Sequence, residues 1–297
     1  MDVAIDIDFA ASAPGIHLRE RICSFSSDEP ERNGRIGVTP VLQAAGISVS
    51  FGGVHAVVDV DLEVQEGQLV GLIGPNGAGK TTFIDAITGL VRARGRVALD
   101  GRDVTRLPPH ARARAGLART WQSIELFDDL SVRENLLVVS HRPSVWSTML
   151  EVVLWPDPDP QEIGSILDLL GLHSIADEQP SELSQGERKL VGIGRALVAS
   201  PRLVCLDEPA AGLDTRESEE LGRRLRRLAD DGQSMLLVDH DMGLVLGICD
   251  EVVVLEFGRV IARGAPEAVR RDQRVVKAYL GQAAAELAPA PAGADGE

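Results

Sequence analysis

The sequence is poor in aromatic residues, in cysteine and in basic charge, and it has no long apolar run. Aromatics make up 3% of its 297 residues, so a core must be built from Leu, Val, Ile and Ala. The 44% hydrophobic content is enough for one large domain or two modest ones. Cys23, Cys205 and Cys249 are widely spaced and form no C-x-x-C pair. That argues against a disulfide framework or a zinc site, and for reduced thiols in a cytosolic protein. A net charge of −15 opposes general nucleic-acid binding, which needs a basic surface. No apolar run approaches the roughly 20 residues that cross a bilayer. The start, Met1-Asp-Val-Ala-Ile-Asp, lacks the basic flank of a signal peptide. Membrane association is therefore expected only through a partner.

What is present is a phosphate cradle. The apolar run Leu69-Val-Gly-Leu-Ile73 leads into Gly74-Pro75-Asn76-Gly77-Ala78-Gly79-Lys80-Thr81-Thr82, and Phe83-Ile-Asp-Ala-Ile-Thr-Gly-Leu90 then reads as a helix. Strand, glycine-rich turn and helix come in the order that presents backbone N–H groups and a helix N-terminus to phosphates. Lys80 suits the β- and γ-phosphates of a nucleoside triphosphate, and the Thr81 hydroxyl suits Mg²⁺. A glycine-rich turn before a capped helix would explain neither the lysine nor the hydroxyl.

Around this cradle the chain divides into three. Residues 1–45 have no sustained period and read as a disordered or loose extension, and 282–297 as a flexible, linker-like tail. Between them, 46–281 alternates apolar segments with helical patterns, as an α/β core does. Ile47-Ser-Val-Ser-Phe51, Val57 to Val64 and Arg96 to Asp100 alternate as partly exposed strands. Val204-Cys-Leu206 and Met235-Leu-Leu-Val238 suit buried parallel strands. The helix between them carries Leu221, Leu225 and Leu228 on one stripe, with Asp214 and Glu217 as a capping box. Residues 128–185 are more helical. Ser131 and Glu134 have capping-box spacing there, and Asp159-Pro160 starts a helix with the stripe Ile163, Ile166, Leu167 and Leu170. Trp146 and Trp155 read as packing residues of this lobe, or as part of a docking surface.

A cradle alone binds; hydrolysis needs more. Leu203-Val-Cys-Leu-Asp207-Glu208 delivers two carboxylates to a strand end, where Asp207 can hold Mg²⁺ and Glu208 can deprotonate an attacking water. His240, after the strand Met235 to Val238, emerges at the same sheet edge and can hydrogen-bond the γ-phosphate or that water. Gln122, in Arg119-Thr-Trp-Gln-Ser, can offer its amide to Mg²⁺ or water, or be an ordinary loop residue. Leu183-Ser184-Gln-Gly186-Glu187 enters another helix, where Ser184 and free N–H groups can meet a phosphate of another chain.

With these residues in order, the chain resembles the ATP-binding subunits of ABC transporters over about residues 46–281. The resemblance implies a P-loop ATPase core with an antiparallel β subdomain and a helical subdomain at about 128–185, using ATP and Mg²⁺. It makes 74–81 the Walker A motif, Gln122 the Q-loop, 183–187 the signature, 203–208 Walker B and His240 the switch histidine. Ala211-Gly-Leu-Asp214 becomes the D-loop, which adds Asp214 to the nucleotide site, and Phe51 falls where the family stacks adenine. Gln185 and Glu187 depart from the usual signature, whereas Ser184 and Gly186 are kept. Phe51-Gly-Gly-Val-His-Ala-Val, Arg119-Thr-Trp-Gln and the end, Gly264 to Gly281, are similar to branched-chain amino acid importers. The implied partners are a second ATPase, identical or related, two transmembrane permease subunits and a solute-binding protein, at the cytoplasmic face of the plasma membrane. Competing expectations are a lipid or lipopolysaccharide exporter, which shares the core, and a non-transport regulatory ATPase. A DNA-repair ATPase would need a long coiled coil, and no heptad region is present.

Overall fold

Two long strands begin the fold. β1 (Leu42–Phe51) and β2 (Val54–Val64) form an antiparallel hairpin whose two-residue turn is Gly52-Gly53, with φ of 50° and 92°. Such a turn needs positive φ at both positions, which glycine supplies without a Cβ clash. The structure, a computed structural model, describes residues 39–121, 125–140 and 160–286. Gln122, Trp146, Trp155, Asp159 and Cys23 lie outside them.

The described strands make two sheets. One has the order β2-β1-β4-β5, with β4 (Arg94–Leu99) and β5 (Arg102–Asp103). The other has the order β10-β9-β3-β8-β7-β6. In it β3 (Leu69–Ile73), β6 (Leu117–Arg119), β7 (Leu203–Asp207), β8 (Ser234–Val238) and β9 (Glu251–Glu256) run parallel, and β10 (Arg259–Gly264) closes one edge antiparallel. β3, β7 and β8 are buried along their whole length, as continuous apolar runs in a parallel sheet should be.

Side-chain alternation splits the core between the two faces of this sheet. Val70, Leu72, Cys205, Leu236 and Val238 pack with β1, β2, β4 and the helix α1 (Lys80–Thr88) through Phe83, Ile84 and Ile87. Leu69, Ile73, Val204, Leu206, Met235 and Leu237 face the other way. They meet α3 (Val132–Ser140), α4 (Pro160–Leu170), α5 (Gln185–Leu197), α6 (Thr215–Asp230) and α7 (Met242–Ile248). The short α2 (Pro109–Arg114) precedes β6, and α8 (Pro266–Arg271) and α9 (Gln273–Glu286) follow β10.

The helix signals in the sequence materialise. The stripe Leu221, Leu225 and Leu228 of α6 is at most 1% exposed, and Ile163, Ile166, Leu167 and Leu170 of α4 are buried. All three capping boxes form, at Ser131/Glu134, Ser184/Glu187 and Asp214/Glu217. The first helix departs from expectation. α1 starts at Lys80 rather than Phe83 and stops at Thr88, where Gly89 at φ 82° ends it as a left-handed cap. Cys205 and Cys249 are free and buried, and desolvation pushes both thiols up to about 12, so they stay protonated and inert.

Candidate functional site

Two glycines shape the phosphate loop by necessity. A Cβ on Gly74 would lie 2.1 Å from the Leu255 carbonyl oxygen. One on Gly79, at φ 102°, would lie 2.3 Å from the Ala56 carbonyl oxygen. The loop is thus pressed between β9 and β2, and the Gly258 N–H donates to the Ala78 carbonyl. Asn76, Gly77 and Thr81 are exposed at the mouth, whereas Lys80 is 6% exposed. No side chain caps the start of α1, so its first N–H groups point at the loop without a side-chain competitor. Lys80 Nζ donates to the carbonyls of Gly74 at 2.7 Å and Pro75 at 3.1 Å.

Lys80 also identifies its neighbours. Burial lowers its pKa, and the charges of Glu208, Asp207 and Asp239 oppose that shift. Residues more than 120 positions downstream therefore act electrostatically on the phosphate-loop lysine. Asp207 ends β7 at 5% exposure, with its N–H directed at Thr120 Oγ1 at 3.4 Å. Glu208 follows in a left-handed conformation, φ 48°, and its N–H donates to the Val238 carbonyl at 2.7 Å. A non-glycine residue held there carries strain of about 1–3 kcal/mol, a feature that concentrates at active sites. The tie to Val238 sets the end of β7 beside the end of β8, two residues before His240. The His240 side chain is 58% exposed, with Nδ1 3.5 Å from Asp239 Oδ1.

Asp239 was not singled out from sequence, yet it organises this edge. Fully buried, it accepts hydrogen bonds from the N–H groups of Ala210 at 3.0 Å, His240 at 2.8 Å and Asp241 at 3.0 Å. One carboxylate thus fixes the chain after Glu208 to the chain carrying the histidine. Asp239→Ala strands those buried donors and is expected to cost about 2–4 kcal/mol of stability in a denaturation titration, with Asp239→Asn costing less. Lys189 of α5 is a second unforeseen neighbour: it is buried, burial lowers its pKa, and the charges of Asp239 and Glu208 oppose that shift.

The signature residues sit elsewhere on the surface. Ser184 caps α5, and the N–H of Gly186 donates to Glu217 Oε1 of α6 at 3.3 Å. The unusual Gln185 lays its amide nitrogen 2.7 Å from where a Cβ on Gly212 would stand. Asp214 is exposed and caps α6. The signature and the D-loop are therefore packed on each other, with Ser184 facing outward. Phe51 closes β1, paired with Val54 and 52% exposed, on the hairpin whose Ala56 touches Gly79.

A groove of about 420 Å³ opens beside Trp121, lined by residues that include Arg119, Val139 and Arg195. Trp121 is 58% exposed, and Phe127 and Val138 are exposed nearby in sequence. Arg195 stacks over Phe127 and donates to the Glu125 carbonyl.

Known proteins are similar to this chain along most of its length. The family model described as ABC transporter matches residues 57–211. A second, described as branched-chain amino acid ATP-binding cassette transporter, matches residues 259–285. The high-affinity branched-chain amino acid transport ATP-binding protein BraF of Pseudomonas aeruginosa is 37% identical over 252 residues, covering 82% of this chain and 99% of that protein. The lipopolysaccharide export system ATP-binding protein LptB of Acidithiobacillus ferridurans is 39% identical over 246 residues, covering 82% and 98%. Among solved structures, an ATP-binding cassette of an ABC transporter in its ADP conformation superposes with a TM-score of 0.72 at 31% identity, covering 82% of this chain and 100% of that one.

Proposed function

Because the chain belongs to the ABC transporter ATP-binding family, we propose that it is the ATP-hydrolysing subunit of an importer of branched-chain or related amino acids. The parallel order β3-β8-β7, which brings the phosphate loop and the strand ends bearing Asp207, Glu208 and His240 to one edge of the sheet, carries the enzymatic half of this reading. The match of residues 259–285 to the branched-chain model carries the transport half, and favours an importer over the lipopolysaccharide exporter.

In this reading the N–H groups of 74–82 and Lys80 bind the phosphates, and Phe51 stacks on adenine. Thr81, Gln122 and Asp207 would hold Mg²⁺; a hydroxyl, an amide oxygen and a carboxylate are the hard oxygen donors this ion takes alongside water and phosphate. When bound, the ion supplies neutralisation of charge on the phosphate oxygens. Glu208 accepts a proton from water as the water oxygen bonds to the γ-phosphorus and the bond to the bridging oxygen breaks. His240 hydrogen-bonds the γ-phosphate, with Asp239 holding its backbone in place.

Ser184 and Gly186 complete the site of a second ATPase, identical or related: Ser184 is exposed at the start of α5, where the helix N-terminus can meet a phosphate of another chain. Asp214 lies at the same junction. Loss of the bridging γ-phosphate weakens this closure, and two permease subunits convert closing and opening into alternating access. The groove beside Trp121 and the segment 128–185 receive the permeases. No described helix is long and apolar enough to cross a membrane, so attachment runs through those subunits. A solute-binding protein delivers the cargo. The expected limits 46 and 281 are too narrow for the ATPase domain, because β1 begins at Leu42 and α9 runs to Glu286.

Affinity purification from membranes tests the assignment. Recovery of two multi-spanning permeases, together with loss of labelled leucine, isoleucine or valine uptake when the chain is deleted, is expected. Recovery with lipopolysaccharide-export membrane subunits and unchanged uptake would overturn it.

A further inference from the structure

Arg119 occupies a position that the chemistry above leaves without a role. It ends β6, three residues before Gln122, and its side chain is 8% exposed. Its Nη2 lies 2.7 Å from Asp207 Oδ2, and its Nη1 lies 2.5 Å from Asp85 Oδ1. Its guanidinium carbon stands 4.6 Å from the centroid of the Trp121 ring. One planar fork thus joins the phosphate-loop helix, the Walker B carboxylate and the residue next to Gln122.

The strength of this joint follows from its burial. Desolvation works against the arginine charge, but hydrogen bonds to Asp85 and Asp207 outweigh it and raise the pKa above the ordinary value. Among the described residues, the buried Nε has no hydrogen-bond partner. That penalty is offset by two charge-assisted bonds in one fixed orientation. A lysine, with its single compact charge, could not reach both carboxylates and also stack on the indole.

We propose that Arg119 is a positioning residue: it fixes the Asp207 carboxylate for the divalent cation and relays the engagement of that carboxylate to Trp121. This rests on the ATPase reading of Asp207. Nη2 holds Oδ2 of Asp207, which orients the other oxygen, Oδ1, for a cation, and the two positive groups then share one carboxylate. The Asp85 arm prevents the guanidinium from swinging away, so the adjustment is felt at the face stacked on Trp121. Metal engagement at the end of β7 then alters the setting of Trp121, which lines the groove assigned above to the permeases.

The test uses the full chain with Trp146 and Trp155 changed to Phe, which leaves Trp121 as the only tryptophan. ATP is bound first in EDTA, and Mg²⁺ is then titrated while Trp121 emission is followed. The parent is expected to bind ATP in EDTA and to change emission as Mg²⁺ is added. In Arg119→Gln and in Asp85→Asn, ATP binding in EDTA should persist, the half-saturating Mg²⁺ should rise about tenfold, and the emission change should shrink or vanish. Asp85→Asn keeps the Asp207 arm and decides the matter alone if Arg119→Gln does not fold. A parent whose Trp121 emission ignores Mg²⁺ overturns the relay. Variants with the parent's Mg²⁺ midpoint and emission change overturn the positioning role. Failure of the parent to bind ATP at all would instead strike the ATPase reading.

Discussion

Changing Glu208 to Gln is expected to leave ATP binding intact and to cut turnover by about 100- to 10,000-fold. The amide keeps the shape of the side chain and can still orient water, but it cannot accept the proton released as water attacks phosphorus. The backbone of Glu208 is set by factors that the substitution spares: its left-handed φ of 48° and the N–H bond to Val238. Phosphate release by the purified transporter, measured beside calorimetric ATP binding, separates the two effects. Turnover within a few-fold of the parent would remove Glu208 from the base role.

Changing Lys80 to Ala is expected to act on the other term, weakening ATP binding by roughly 10- to 100-fold. Lys80 is buried, its ammonium donates to the Gly74 and Pro75 carbonyls, and the charges of Asp207, Glu208 and Asp239 act on it. Its removal takes away a charge-assisted contact to phosphate and also one of the positive charges that offset Asp207, Glu208 and Asp239. Triphosphate binding should suffer twice, from a lost attraction and from an uncovered repulsion. A calorimetric titration with unaltered affinity would contradict this, provided the unfolding midpoint shows a folded variant.

The contrast between Lys80 and Arg119 shows what the sequence could disclose. Walker A is contiguous, and each of its residue types has a local reason, so strand, turn and helix were readable in order. Asp207, Glu208 and His240 were readable because each follows an apolar run that parallel strands require. Arg119 was not, since its role comes from register: β6 pairs with β7 so that Arg119 lies opposite Cys205, 86 residues away, two positions short of Asp207. A three-residue strand such as β6 has no period to detect. Asp239 stood in plain view beside His240, but its value lies in the N–H groups it collects from the end of β7 and the start of α7.

Strand limits were lost for a related reason. The sequence places the first strand at Ile47 to Phe51, whereas β1 begins at Leu42. Register shifts between Ala44 and Ile47, and between Ile47 and Val49, break the two-residue alternation on which such a reading depends. Gly46, at φ 62°, sits in that irregularity. The buried residues Leu42 and Ala44 belong to the sheet all the same, because both pair with β2 and with β4.

The nucleotide bound at Lys80 and Glu208 is expected to be closed by Ser184 and Gly186 of a second ATPase. Sedimentation of the Glu208→Gln chain, alone and with any related ATPase that copurifies with it, tests this most directly. With ATP and Mg²⁺ the sedimenting mass should rise by one ATPase subunit, and with ADP it should return to that of the single chain. The same mass under both nucleotides would contradict the shared site.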